Sequence, residues 1–206
     1  MEKGESLLEL IGQVLDLSRI ESGNVVLKRE ISHPRDIIDR SVSDVLPQSK
    51  KRDLVIELEV DEEILPVNVD KDKIRRVVTN LLGNAVKFSK QGSTITVRAR
   101  SCDLEDASQP FDVFEPERNR ALEISVTDQG KGIAQDALER IFDSFYQVDN
   151  SSTREFGGTG LGLAIVRNFM RAHDGDVKVV SEEGVGSTFT ISLPYNQEKP
   201  TSPAGA

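Results

Sequence analysis

A helix pattern followed at once by a strand pattern restricts this chain to folds in which helices pack on a sheet. After Asp70, which can cap a helix N terminus, apolar residues recur at helical spacing: they are Ile74, Val77, Val78, Leu81, Leu82 and Ala85. Residues 93–100 then alternate, with Ile95, Val97 and Ala99 on one face of a strand. Because each element has one apolar face, we expect the two faces to be buried together in an α/β layer structure.

The two periods recur along most of the chain and indicate its fold class. We predict further strands at residues 25–28, 54–60, 122–127, 177–181 and 187–193. We predict two more helices, one beginning at Pro34 that Pro47 should kink or end, and one running from about Gly160 to His173. Residues 101–120 are acidic and lack a clear period, which is typical of an insertion between two strands. The predicted fold class is α/β: a two-layer α/β sandwich with a mixed sheet packed on about three helices, plus an N-terminal helical arm.

The pattern divides the chain into three parts. Residues 1–23 form the helical arm, whose apolar residues have an a/d-like spacing and which should stop at Gly23. Either a partner helix or the chain's own domain can cover that apolar seam. Residues 24–195 form the sandwich. Residues 196–206 are polar and contain proline, alanine and glycine, so we expect a disordered tail or linker.

The charge balance and the residue counts exclude several classes of protein. The chain has 26 basic and 35 acidic residues, a formal net charge of −9, which argues against a general nucleic-acid binder. Its single cysteine, Cys102, excludes an internal disulfide and a multi-cysteine metal site. Because no apolar run approaches roughly 18 residues and no signal peptide is recognisable, we expect a soluble intracellular chain without membrane contact.

Polar residues share one face of the helix that Asp70 caps. Asn80 and Asn84 are four residues apart, and Lys87 follows one turn after Asn84. Two stacked amide oxygens can ligate a hard cation together with phosphate oxygens, and the lysine adds positive charge to the same place. The alternative, a merely solvated face opposite the core, is also compatible with the pattern.

Two glycine-containing segments are the other candidates for ligand binding. Asp128 follows a predicted strand and begins the sequence Asp-Gln-Gly-Lys-Gly. Its carboxylate can accept a hydrogen bond from an exocyclic amine, and the glycines let a flat ring approach, although both are also ordinary turn residues. The second segment opens a helix, where unpaired N–H groups and the helix dipole favour phosphate. By itself, this run of residues 157–163 indicates either an anion site or a flexible hinge.

In their order and spacing, these segments resemble the ATP-binding catalytic domain of sensor histidine kinases. That family lies within the superfamily of gyrase, heat-shock-chaperone, histidine-kinase and mismatch-repair ATPases. The resemblance covers about residues 27–195. The family's N-x-x-x-N-A-x-K-[YF] motif is matched at residues 80–88, its D-x-G-x-G motif at 128–132, and its phenylalanine motif by Phe142 and Phe145. Its second glycine motif is matched by Gly158, Gly160 and Gly162.

The resemblance implies a role for each matched residue. Asn84 would be the magnesium ligand, and Asn80 and Lys87 would contact phosphates. Phe88 would lie against the adenine pocket, where Asp128 would accept a hydrogen bond from the adenine amine.

The resemblance also implies a mobile lid over about residues 146–157. Its only cation, Arg154, would contact the γ-phosphate, so the catalytic residues would be Asn80, Lys87 and Arg154. For Arg154 a solvated loop charge is the alternative, as is core packing for Phe142 and Phe145. The other implied nucleotide contacts are Gly130, Gly132, Phe145, Gly158, Thr159, Gly160, Leu161 and Gly162.

One position separates the branches of this superfamily. The hydrolysing members resemble one another in carrying a glutamate one turn before the magnesium asparagine, where it activates water. Here that position is Asn80, and an amide cannot act as a general base. The site therefore looks suited to hold ATP until an outside acceptor arrives.

Neither histidine of the chain has the sequence context of the family's phosphoacceptor. His33 precedes Pro34 between a strand and a helix, and His173 ends a helix, where it can favour the C-terminal dipole. The arm at residues 1–23 resembles the second dimerisation helix, which follows the histidine helix in the family. We therefore expect the acceptor histidine to be absent from these 206 residues.

The resemblance implies the catalytic ATP-binding domain of a cytoplasmic two-component sensor histidine kinase, with ATP and Mg²⁺ as cofactors. It would donate the γ-phosphoryl group to a histidine on a dimerisation helix, for relay to a response-regulator receiver domain. The implied parent protein is a homodimer. The alternatives are an ATPase of the same superfamily, a degenerate ATP-binding scaffold, and a serine kinase that inhibits a sigma factor, although such kinases lack the arm.

Overall fold

The computed structural model describes residue 12 and residues 26–103, 120–147 and 159–195. The predicted arm apart from residue 12, most of the insertion and of the lid, and the tail lie outside these ranges. The elements are β1 (Glu30–Ser32), α1 (Pro34–Lys51), β2 (Val55–Val60), β3 (Val67–Val69), α2 (Lys71–Phe88), β4 (Thr94–Asp103), β5 (Arg120–Asp128), α3 (Gly162–Ala172), β6 (Asp176–Glu182) and β7 (Gly186–Pro194). A short 3₁₀ helix, Gln135–Ala137, lies between β5 and α3. None of the described helices has the length and apolarity that crossing a membrane requires.

Five of the strands form one mixed sheet in the order β2-β4-β5-β7-β6. Strand β2 pairs parallel with β4, and the other neighbours pair antiparallel. Strands β1 and β3 form a separate two-stranded sheet. All three helices pack on the five-stranded sheet, and α2 lies between α1 and α3. The predicted α/β sandwich with a mixed sheet on three helices is therefore confirmed for the part of the chain described.

Helix α2 forms where it was predicted because its sequence supplies both a cap and a continuous apolar stripe. The Asp70 carboxylate accepts a hydrogen bond from the backbone N–H of Lys73 at 3.1 Å, which satisfies one of the free donors of the first turn. The stripe is buried in the core and consists of Ile74, Val77, Val78, Leu81, Leu82, Ala85 and Val86. Burial of this stripe leaves Asn80 and Asn84 half-buried beside the core.

His173 joins the end of α3 to the start of α2. Its Nδ1 lies 2.7 Å from the carbonyl oxygen of Phe169, and its Nε2 accepts a hydrogen bond from the backbone N–H of Asp70 at 3.0 Å. Because Nε2 is an acceptor, Nδ1 carries the proton and the ring is neutral. Burial lowers the pKa of His173 below its ordinary value. His173 therefore ends its helix as a neutral hydrogen-bond donor rather than as a charge on the helix dipole.

We expect acid to destabilise this junction. An unfolded histidine titrates near pH 6.5, and the folded one titrates lower, so the unfolded chain takes up the proton first as the pH falls. The free energy of unfolding from urea titrations should therefore decrease between about pH 7 and pH 5. In His173→Gln this decrease should be smaller, because the side chain does not titrate. An equal decrease in both proteins would contradict the assignment.

The first predicted strand, at residues 25–28, is wrong within the residues described. Residues 26–28 are not in a strand, and β1 begins at Glu30. The reason is a contact with a distant residue: the backbone N–H of Lys28 donates to the Asp70 carboxylate at 2.9 Å instead of to a neighbouring strand. The partner of β1 is β3, a three-residue strand that the periodicity did not predict.

Of the two effects expected of Pro47, a kink or an end, the end is wrong: α1 is not ended there. The helix continues through it to Lys51, and the buried residues Val45 and Ser49 hold its last turns on the core. A proline removes the N–H that would bond to the carbonyl four residues earlier. That carbonyl belongs to Ser43, which is exposed, as is Pro47, so water can take the place of the missing donor.

Candidate functional site

Helix α2 lies against both glycine segments. The Asn80 side-chain amide donates to the carbonyl oxygen of Gly162, the first residue of α3, at 3.4 Å. Just past the other end of α2, Ser89 forms an isolated antiparallel bridge with Gly130. The helical rise between residues 80 and 89 is about 13 Å, a length comparable to a nucleoside triphosphate. Asn84 and Lys87 lie between these two contacts, so one helix face joins the segments.

The polar face of α2 is partly removed from solvent. Asn80, Asn84 and Lys87 are all half-buried, which does not fit a fully solvated face. Burial lowers the pKa of Lys87, and the nearby positive charge of Lys131 lowers it further. Two amides and a desolvated ammonium on one face suit a ligand that brings its own negative charge.

The residues of this face are compatible with a magnesium ion that is coordinated by both the protein and a bound phosphate. Among the described residues, no group of three or more His, Cys, Asp or Glu side chains could hold a metal ion alone. Amide oxygens are weaker ligands than carboxylates, so a divalent ion here would depend on Asn84 together with the oxygens of a bound phosphate. The magnesium role that the resemblance implied for Asn84 stays a prediction.

Asp128 ends β5 as a buried carboxylate, 7% exposed. Its Oδ1 accepts a hydrogen bond from the backbone N–H of Gly130 at 2.8 Å. Burial raises the pKa of Asp128, although backbone hydrogen bonds from Gly130 and Ser187 oppose the rise. A desolvated acceptor with remaining lone pairs is a strong recognition element for an N–H donor such as an exocyclic amine.

The two glycines that follow Asp128 are required by close backbone contacts. A Cβ at Gly130 would lie 2.5 Å from the carbonyl oxygen of Phe88, at the end of α2. A Cβ at Gly132 would lie 2.0 Å from the carbonyl oxygen of Glu182, and its φ of +68° is a left-handed conformation. The D-x-G-x-G segment is therefore fixed between α2 and the β6–β7 turn.

The second glycine segment meets the phenylalanine motif. Gly160 has φ +70°, and its carbonyl oxygen accepts a hydrogen bond from the backbone N–H of Phe145 at 3.0 Å. Phe145 itself has φ +66° and is 63% exposed, whereas Phe142 is buried in the core. Phe145 is therefore not packed in the core, and its left-handed backbone is a strained conformation of the kind that clusters at functional sites.

The other predicted residues of this segment have different positions. Thr159 accepts a hydrogen bond from the backbone N–H of Leu161 at 3.2 Å, and Gly162 begins α3. Leu161 is fully buried in the core, and its carbonyl oxygen accepts a hydrogen bond from the backbone N–H of Ile165 at 3.0 Å, so its predicted contact with a ligand stays a prediction. Gly158 and Arg154 lie outside the described residues, and their predicted roles stay predictions.

Arg52 supports the end of α2 and was not predicted from the sequence. Its guanidinium donates to the carbonyl oxygens of Val86, Lys87 and Ser89, the last at 2.9 Å. The last carbonyls of a helix have no partner within the helix, and one arginine satisfies several of them here. No local pattern around residue 52 could have indicated this contact, because its acceptors are 34 to 37 residues away.

We expect Arg52→Ala to lower the free energy of unfolding by about 2 kcal/mol, because it leaves part-buried carbonyls without a charged donor. Arg52→Lys should recover only part of the loss, since an ammonium cannot span the acceptors as a planar guanidinium does. Urea denaturation measures both effects. Arg40→Ala, at an exposed position on α1, is the matched control and should change stability by less than about 0.5 kcal/mol. Equal stability of Arg52→Ala and wild type would contradict the capping role.

The fold and this site together define a nucleotide-binding domain of the two-layer α/β class. Its parts are a buried carboxylate, two amides and a lysine on one helix face, and a glycine segment at a helix start. Residues 69–197 match the family described as the histidine kinase-, DNA gyrase B-, and HSP90-like ATPases. The chain belongs to that family, and its relatives place it with the ATP-binding catalytic domains of sensor histidine kinases.

Two curated relatives and one solved structure illustrate the similarity. Sensor histidine kinase WalK of Bacillus subtilis (strain 168) is 35% identical over 199 residues, an alignment that covers 95% of this chain and 30% of WalK. Autoinducer 2 sensor kinase/phosphatase LuxQ of Vibrio harveyi is 36% identical over 201 residues, covering 95% of this chain and 22% of LuxQ. The crystal structure of full-length ShkA in complex with AMPPNP has a TM-score of 0.77 at 27% identity, covering 96% of this chain and 37% of ShkA. The chain thus spans less than a third of the length of these two curated relatives.

Proposed function

We propose that this chain is the catalytic ATP-binding domain of a cytoplasmic two-component sensor histidine kinase. It binds Mg-ATP and donates the γ-phosphoryl group to a histidine on a dimerisation helix, for relay to a response-regulator aspartate. Residues 1–23 are the second dimerisation helix, residues 24–195 the catalytic domain, and residues 196–206 a tail or linker. The parent protein is a homodimer.

The observation that carries this proposal is the chemistry of Asn80. It lies one turn before Asn84, on the same face of α2, and its amide donates to the Gly162 carbonyl at the start of α3. A water molecule bound there would meet an amide, which cannot take its proton. ATP would therefore keep its γ-phosphate until a better nucleophile arrives, which favours a phosphotransferase over an ATPase.

Each matched residue has a proposed part in binding. Asp128 accepts the adenine amine, and Phe88 borders the base. Asn84 binds a magnesium ion, which neutralises phosphate charge when present. Asn80 and Lys87 hold the phosphates. Transfer then needs mostly positioning: an imidazole nitrogen forms the new P–N bond while the bond to ADP breaks, and ADP leaves with its electron pair.

The remaining contacts surround the phosphates. Arg154 reaches the γ-phosphate from the lid, and Phe145 borders the lid where its backbone meets Gly160. The other proposed contacts are Gly130, Gly132, Gly158, Thr159, Gly160, Leu161 and Gly162. The acceptor comes from outside this domain. His173 is fully buried, and both of its ring nitrogens are hydrogen-bonded, so it cannot attack a phosphate.

The proposal is tested by the fate of γ-labelled phosphate. The chain is incubated with Mg²⁺ and labelled ATP, alone and with the histidine-bearing dimerisation segment of its parent protein. We expect acid-labile label on the added segment and none on the chain alone. Asn84→Ala in place of the wild type should give no labelled segment. Label on the chain alone, or bound ATP with no label on the segment, would contradict the proposal.

A further inference from the structure

We infer that Lys131 is a second phosphate-binding cation of the nucleotide site, acting with Lys87 as a pair that discriminates adenosine phosphates from adenosine. This inference rests on the proposed function and adds a specificity-determining residue to it. Lys131 is the second variable residue of the D-x-G-x-G segment and was given no role in the sequence analysis. Lys131 lies between the two glycines of that segment, Gly130 and Gly132.

Both lysines lie against one exposed aromatic ring. The Nζ of Lys87 is 4.7 Å from the centroid of the Phe88 ring, and the Nζ of Lys131 is 5.3 Å from the same centroid. By these two distances, the ammonium groups are at most about 10 Å apart, which is comparable to the screening length of about 8 to 10 Å at 0.15 to 0.1 M salt. Phe88 is 37% exposed, so a ligand can reach the ring and both cations.

The backbone holds Lys131 in this place. Gly130, immediately before it, forms the bridge with Ser89 and has no room for a Cβ against the Phe88 carbonyl oxygen. The carbonyl oxygen of Lys131 accepts a hydrogen bond from the backbone N–H of Gly184 at 2.6 Å. Lys131 is thus fixed between the end of α2 and the β6–β7 turn, and its side chain starts from a rigid position.

Two cations on one ring oppose each other in the absence of a ligand. Burial lowers the pKa of Lys87, and the positive charge of Lys131 lowers it further, as expected for two cations placed against one ring. The whole chain has a net charge of −9, and this pair places two positive charges at one position on an otherwise acidic protein. A polyanion placed beside Phe88 would remove the repulsion, and an uncharged ligand would not.

The ligand chemistry follows from the neighbours of the pair. Asp128 precedes Lys131 by three residues and is the proposed acceptor of the adenine amine, and Phe88 borders the base. Lys131 is therefore near the base end of the nucleotide, where it can reach the phosphates that ADP and ATP have in common. Lys131 should contribute equally to the affinity for ADP and for ATP, whereas the proposed contact of Arg154 with the γ-phosphate would contribute to the affinity for ATP alone.

The test compares Lys131→Gln with Lys178→Gln by calorimetric titration with ATP, ADP and adenosine, all without magnesium. Lys178 is exposed on β6 and gives the same change of net charge away from the site. Lys131→Gln should weaken ATP and ADP by about five- to tenfold, typical for one charge-assisted contact, and adenosine by less than about twofold. Lys178→Gln should change none of the three by more than about twofold.

Each outcome decides the inference. Equal weakening of adenosine and ADP in Lys131→Gln would overturn it, as would equal effects of the two variants, or no effect at position 131. Carbon-13 NMR of dimethylated lysines adds a readout in the ligand-free protein: the pKa of Lys87 should rise in Lys131→Gln. If wild type binds none of the ligands, even after Mg²⁺ is added, the proposed function itself fails, which this design separates from a failure at position 131.

Discussion

Replacement of Asp128 by alanine is expected to weaken ATP and ADP binding alike, each by about 100-fold. The carboxylate is buried at the end of β5 and already desolvated, so a donor on the base gains a full hydrogen bond to a charged acceptor. In a site built around one hydrogen bond, removal of either partner leaves the other buried and unpaired, so the affinity for the ligand falls strongly. Both nucleotides have the same base, so the loss should not depend on the γ-phosphate.

Asp128→Asn separates this recognition from folding. The asparagine oxygen can still accept from the backbone N–H of Gly130, which Asp128 does at 2.8 Å, so this hydrogen bond within the turn should persist. Its amide donors, however, would oppose the donor on adenine. Calorimetry with both nucleotides is the measurement, and Asp61→Asn, at an exposed position, is the matched control. A variant that lost ATP but kept ADP would refute the assignment of Asp128 to the base.

The second large effect is expected at Asn84, and it should depend on magnesium. Asn84→Ala would remove the proposed metal ligand, and loss of even an outer-shell partner of a metal site typically costs about 10–100-fold in metal affinity or activity. We therefore expect ATP binding to weaken by that factor with Mg²⁺ and by less than about twofold in EDTA. The half-buried position on α2 leaves the core stripe untouched, so the fold should persist.

Thr79→Ala on the same helix controls for changes in helix stability. Thr79 donates to the Asp44 carboxylate at 3.4 Å and lies outside the proposed site. It should leave ATP binding unchanged in both conditions. If Asn84→Ala weakened ATP binding to the same extent in EDTA as with Mg²⁺, the residue would contact the nucleotide directly and would not be the metal ligand.

The elements with strong local patterns were predictable, and those that depend on distant partners were not. Helix α2 and strand β4 have caps or alternation within their own sequence, and both are present. The segment 25–28 looked like a strand, but Lys28 bonds to Asp70 from 42 residues away. Strand β3 has three residues, which is too few for a period to be recognised.

The same division holds within the site. Asn80, Asn84 and Lys87 are close in sequence, so helical spacing alone puts them on one face. Arg52 and the Lys131–Phe88 contact could not be predicted, because they exist only when α1, α2 and the segment after β5 are packed together. The sequence also could not show which apolar residues of this region are buried: Leu161 of the glycine segment is in the core, whereas Phe145 is exposed with a left-handed backbone.

Phosphorus NMR of stoichiometric Mg-ATP with the chain alone tests the central claim most directly, because one spectrum reports both binding and turnover. The account predicts that all three phosphate resonances shift or broaden on binding and that no inorganic phosphate accumulates over hours. Unperturbed resonances would show that the site does not hold the nucleotide. Growth of an inorganic phosphate signal would show an ATPase and contradict the role given to Asn80.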